Sequence, residues 1–152
     1  AQTARREVQG QVDRLTDRLA LIAGVDPDAV TVDTARKRAV VRARPLPETG
    51  LAAYRVLEQR ASAMAPGWTI EIEPPVLPLP ELALDDDGAP ASAEALDLAL
   101  WAAQRIGLPI DLAVRGDDHD PLVKPFADRG VDARLVRGAS TDRAVLRWRV
   151  AD

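Results

Sequence analysis

The chain has 152 residues, 47% of them hydrophobic and 29% charged, a globular profile far from that of a disordered chain. It contains no cysteine, which removes disulfides, thiolate nucleophiles and the common cysteine-ligated zinc sites together. The net charge is -4, divided as 11 Lys+Arg against 10 Asp+Glu over residues 1–73 and 9 against 14 over residues 74–152, so neither half offers the dense basic surface of a nucleic-acid binder.

The chain opens at Ala1 with an amphipathic pattern already running, so a processed or excised fragment is expected, with any signal peptide or membrane anchor lying upstream of it. No window of about eighteen apolar residues survives in the sequence itself. Val8, Val12, Leu15, Leu19 and Ile22 share one face of a helix that Gly24 stops. Such a helix either covers a sheet or continues as a coiled-coil stub from a membrane segment upstream. Residues 29–33 and 38–44 alternate and are rich in β-branched side chains, and the polar gap 34–37 suits a turn between them. Pro45 and Pro47 close the second strand. Residues 48–65 are helical, with Leu51, Tyr54, Leu57 and Ala61 on one stripe, and Pro66-Gly67 ends them. Residues 68–73 alternate as a further strand.

Pro74-Pro75-Val76-Leu77-Pro78-Leu79-Pro80 can neither continue a helix nor supply the donors of an inner strand, so it is read as a linker, 74–80, between two lobes. Beyond it, 79–84 forms a short strand and Asp85-Asp86-Asp87-Gly88 a turn. Ser92 caps a helix that runs to Gly107, with Glu94 and Asp97 toward its positive end. Strands follow at 110–114, 131–136 and 145–150, with a brief helix at 122–129 that is broken or begun at Pro125. The fold class is therefore α+β, in two small lobes of order α-β-β-α-β and β-α-β-α-β-β with helices packed on mixed sheets. Trp68, Trp101 and Trp148 each fall inside an element and are read as core residues.

The reactive-looking run is Arg115-Gly116-Asp117-Asp118-His119-Asp120, placed at the carboxyl end of a strand, the edge that ligand sites in α/β sheets favour. Carboxylates beside the single histidine have the donor set for a divalent metal, which makes a metal-dependent hydrolase the alternative to a binding role. The same pattern is also what a polar turn requires for local reasons. With one histidine, no cysteine, no Gly-x-Ser-x-Gly elbow and no phosphate-binding glycine loop, the nucleophilic and nucleotide-dependent classes find little support. The binding residues singled out are Asp117, Asp118, His119, Asp120 and Arg143, with no catalytic residue, no metal ligand and no cofactor assigned.

The α-β-β-α-β half, with its amphipathic first helix and the strands at Val30-Thr31-Val32-Asp33 and Val40-Val41-Arg42-Ala43-Arg44, resembles a BON-type module of bacterial envelopes over residues 1–73. The second half, 81–152, resembles an OmpA-like C-terminal domain, through Ser92-Ala93-Glu94-Ala95-Leu96, the strand beginning at Ile110, Ala127-Asp128-Arg129-Gly130-Val131 and Asp142-Arg143-Ala144-Val145. The resemblance implies peptidoglycan binding through an Asp after the second strand, near which Asp117 or Asp118 stands, and an Arg in the following helix. No residue from 116 to 124 supplies that guanidinium, and the family's Asn-x-x-Leu-Ser-x-x-Arg-Ala motif is absent. The expectation is a non-catalytic binding or structural module of a membrane-anchored envelope protein on the periplasmic or extracellular side. Its partner would be peptidoglycan or another envelope protein, with a cytosolic scaffold as a further alternative.

Overall fold

The computed structural model describes residues 2–47, 49–116 and 119–149, with the backbone alone for 2–5. The architecture is α+β and divides into two compact units, Ala1–Pro75 and Val76–Asp152. No helix among the described residues is long and apolar enough to cross a membrane.

In the first unit, helix α1 (Gln2–Ala23) is followed by a 3-10 turn and by strands β1 (Val30–Asp33) and β2 (Arg38–Arg42), then helix α2 (Leu51–Met64) and strand β3 (Thr69–Glu73). The sheet order is β1-β2-β3, antiparallel between β1 and β2 and parallel between β2 and β3. Only the C-terminal part of α1 is core: Leu19, Ala20 and Ala23 are buried, whereas Val8 is 49% exposed. The two-residue periodicity of β2 and β3 puts Ala39, Val41, Ile70 and Ile72 in the core, against Leu51, Tyr54 and Ala61 of the α2 stripe. The buried phenol of Tyr54 donates to the Arg44 carbonyl (3.0 Å) and accepts from the Leu46 amide (3.2 Å), so its polar tip is satisfied where Pro45 ends the strand.

The second unit contains strand β4 (Leu82–Ala83), helix α3 (Ala93–Ile106), strand β5 (Ile110–Val114), helix α4 (Asp120–Asp128) and strands β6 (Ala133–Arg137) and β7 (Arg143–Trp148). Ser92 caps α3 by accepting from the Ala95 amide at 3.2 Å, and Gly107 ends the helix in the left-handed conformation. The sheet order is β4-β7-β5-β6, with β5 parallel to β6 and antiparallel to β7. Ile110, Leu112 and Val114 of β5 are buried with Leu122 and Phe126 of α4 and with Leu100 and Trp101 of α3.

Several elements differ from the sequence reading. Strand β4 has two residues instead of six, its pairing limited to Leu82 and Ala83 against β7. Helix α4 starts at Asp120 and runs through Pro125 instead of being broken there; Leu122 and Phe126, both fully buried, hold the turn in which the proline amide is missing. Residues 76–80, read as a linker, belong to the second unit. Leu79 is 9% exposed, and the Leu77 carbonyl accepts from the indole nitrogen of Trp148 at 2.7 Å. Trp101 is a core residue, whereas Trp68 and Trp148 are half-buried.

Candidate functional site

The site region lies at the carboxyl end of β5. Because β7 pairs with β5 and not with its sequence neighbour β6, the segment after β6 must pass over that end. The crossing is tight. A Cβ on Gly138 would lie 2.5 Å from the Ala113 carbonyl carbon and from the Val114 nitrogen, so only glycine fits. Two backbone bonds fasten the crossing, from the Gly138 amide to the Val114 carbonyl (3.1 Å) and from the Arg115 amide to the Ser140 carbonyl (2.7 Å). Ser140 Oγ in turn hydrogen-bonds Asp142 Oδ1, and that bond is the main cause holding the Asp142 carboxyl below its usual range.

Of the residues singled out from the sequence, Asp117 and Asp118 lie outside the described residues. His119 lies inside the fold, 6% exposed, directly before α4. Its Nε2 is 3.2 Å from the Arg115 carbonyl, an interaction that closes the loop on itself, and its buried Nδ1 has no hydrogen-bond partner among the described residues. Gly116 makes room for the ring: its φ is +118°, and a Cβ there would meet Nε2 at 3.0 Å. Asp120 is exposed in the first turn of α4, where a carboxylate suits the helix dipole. Arg143 is exposed at the start of β7, 3.3 Å from Glu81. Among the described residues no three of His, Asp and Glu converge on a metal position. Asp85, the other concentrated carboxylate, accepts from the amides of Asp87 and Ala89 and shapes its own turn.

The structure gathers around Arg143 a set of residues that sequence reasoning missed. On the face of the sheet opposite the buried side chains of β5, Arg143 and Arg147 border a depression of about 420 Å³ floored by Ala113 and Val145 and flanked by Ser140, with Arg137 at its rim where β6 ends opposite the buried Val114. The run Arg143-Ala144-Val145-Leu146-Arg147 carries a legible signal, since its two-residue period puts Arg143, Val145 and Arg147 on one face and buries Ala144 and Leu146. Toward the other end of β5, Asp111 accepts from Arg149 (2.9 Å) and Arg134 (2.8 Å), which consumes the acidic side chain of this face. Among the described residues the ionisable side chains lining the carboxyl-end depression are arginines, and the Asp142 carboxylate, bonded to the lining Ser140, acts on Arg143. A larger hollow of about 720 Å³ in the first unit is bordered by Asp26, Asp28 and Glu73 as well as Arg42 and Arg44, and so carries no preference of sign.

No family model, curated protein or solved structure matches this chain.

Proposed function

We propose that this chain is a non-catalytic binding module of a membrane-anchored bacterial envelope protein, acting on the periplasmic or extracellular side. The observation that carries the binding role is the division of labour at the carboxyl end of β5. There the one imidazole is sealed inside as a loop strut, while the side chains offered to solvent, Asp120 and Arg143, are charged contact groups. Envelope placement is supported by the resemblance of the two halves to BON-type and OmpA-like modules, and that resemblance names peptidoglycan or a neighbouring envelope protein as the target. Asp117 and Asp118, which precede His119 in the sequence, complete the proposed contact set.

Pull-down of the full chain on purified peptidoglycan sacculi tests this reading. Retention is expected, and it should fall when Asp117→Asn, Asp118→Asn and Arg143→Gln are combined. Retention unchanged in that triple variant would remove the site. A calorimetric titration with divalent ions addresses the hydrolase alternative: stoichiometric heat lost in Asp117→Asn/Asp118→Asn would displace the binding reading.

A further inference from the structure

We propose that β6 pairs antiparallel with β6 of a second copy of this chain, joining two sheets edge to edge about a twofold axis at Leu135. The pairing is independent of what the loop after β5 binds. The parallel ladder leaves β6 half used. The Ile110 amide bonds the Asp132 carbonyl (2.9 Å) and the Gly138 amide bonds the Val114 carbonyl (3.1 Å), so Arg134 and Val136 turn their backbone groups toward β5. Ala133, Leu135 and Arg137 therefore point their amides and carbonyls away from the sheet, and no hydrogen bond among the described residues reaches them. Such a row templates pairing with another strand unless something guards it. Here the guards are few: β6 has neither proline nor bulge, and Arg134 leans inward on Asp111 at 2.8 Å. Leu135 is 38% exposed, although it shares the face of the buried Leu112. The opposite edge of the sheet, β4, is limited to two residues.

The sequence of β6 selects a second copy as the occupant. Centred on Leu135, an antiparallel pair sets Ala133 against Arg137, Leu135 against Leu135 and Arg134 against Val136, and it uses every outward amide and carbonyl of the strand. Each arginine then faces a neutral residue, and the two leucines cover each other's exposed area. Other registers do worse. Shifted by two residues one way, the pair sets Arg134 against Arg134, and like charges directly opposite are destabilising. Shifted the other way, it sets Leu135 against Arg137 and runs Ala133 past the strand end. Charge also favours the centred register. Arg137 there falls diagonal to Val131 of the second copy, whose amide bonds the Phe126 carbonyl in the last turn of α4 at 2.9 Å. The cation thus approaches the negative end of that helix, where the exposed Asp128 and Arg129 balance each other.

Sedimentation equilibrium of the 152-residue chain tests the pairing. The expected result is a concentration-dependent dimer whose dissociation constant rises about tenfold or more in Leu135→Lys, which sets two ammonium groups at the axis. Val56→Lys, at a 45% exposed valine of α2 in the first unit, should leave it within about twofold. Cysteine cross-linking then reads the register, since the chain has no cysteine of its own. Arg134→Cys and Val136→Cys face each other across the axis as a non-hydrogen-bonded pair about 4.5 Å apart at Cα. Each faces its own copy only diagonally, at about 7–8 Å, too far for a disulfide. An oxidised mixture of the two variants should therefore form linked dimer at least about fivefold faster than either variant alone. Circular dichroism checks that each variant folds; if Leu135→Lys does not, the cysteine mixture decides. A chain still monomeric at about 1 mM, a dimer indifferent to Leu135→Lys, or linkage in the mixture no faster than in the single variants would each overturn the proposal.

Discussion

Gly138 sits where the chain must cross the end of a paired strand, and its missing Cβ is what allows the crossing at backbone contact distance. Gly138→Ala forces a methyl group against peptide atoms that cannot rotate away, so the second unit should lose about 1–3 kcal/mol, measured by urea unfolding. Gly138 looks in the sequence like any loop glycine, and nothing local marks it. Its constraint comes from the strand order, which only the tertiary arrangement fixes. Asp111 is the other residue whose role is set across strands. The hydrogen bond from Arg149, partly offset by desolvation and then reinforced by Arg134, holds its carboxyl below the ordinary value of 3.8. A carboxyl depressed in the folded state contributes stability that is complete above 3.8 and disappears as pH falls through the lower folded value. Thermal melts should therefore show Asp111→Asn less stable than the native chain at neutral pH, with the gap closing below pH 3.8. A gap that stays constant through that range would mean the ion pairs contribute nothing.

At the scale of elements, helix α2 satisfies part of the outer edge of the first sheet at β3. In the register of β3, Thr69 donates to the Lys37 carbonyl and Glu73 accepts from the Ala43 amide, so the backbone groups of Ile70 and Ile72 point away from β2. Helix α2 reaches over and occupies one group of each, with Glu58 accepting from the Ile72 amide at 2.8 Å and Ser62 donating to the Ile70 carbonyl at 3.5 Å. Groups occupied in this way are withdrawn from pairing with another chain. Replacing Glu58 by Ala should lower stability by about 1–3 kcal/mol, because a partly buried amide loses a charged acceptor. The same variant should also aggregate more readily, read by light scattering during refolding. Much of this layout was legible. The stripe of Leu51, Tyr54 and Ala61, the Ser92 cap, the Gly107 stop and the alternation of Ile110, Leu112 and Val114 are local patterns that survive folding. What was not legible depends on partners distant in sequence: the brevity of β4, whose pairing is limited to two residues of β7, and the survival of α4 through Pro125, which the burial of Leu122 and Phe126 makes tolerable. The candidate site divides the same way. Arg143 and Arg147 share a face by strand period, and His119 reads as a polar loop residue until the fold encloses it.

At the scale of the molecule, the proline-rich run separates two units but is not itself a neutral spacer. The unit boundary falls between Pro75 and Val76, and the five residues after it are fastened to the second unit by Leu79 in the core and by the Trp148 indole on the Leu77 carbonyl. Proline suits this role, since its fixed φ lowers the entropy lost in holding an extended segment against a surface. Two cuts of the chain distinguish a fastened strap from a passive connector. A fragment of residues 76–152 keeps both attachments, whereas one of residues 81–152 exposes the Leu79 site and leaves the half-buried indole without its acceptor. Burial of a leucine contributes about 1.5–3 kcal/mol and a hydrogen bond of this kind about 1 kcal/mol, so the shorter fragment should be less stable by about 2–4 kcal/mol. Urea titration followed by tryptophan emission reads this directly, because Trp101 and Trp148 are the only tryptophans in either fragment. Coincident unfolding curves for the two fragments would show that residues 76–80 are merely adjacent to the second unit, and the boundary would then belong at residue 80.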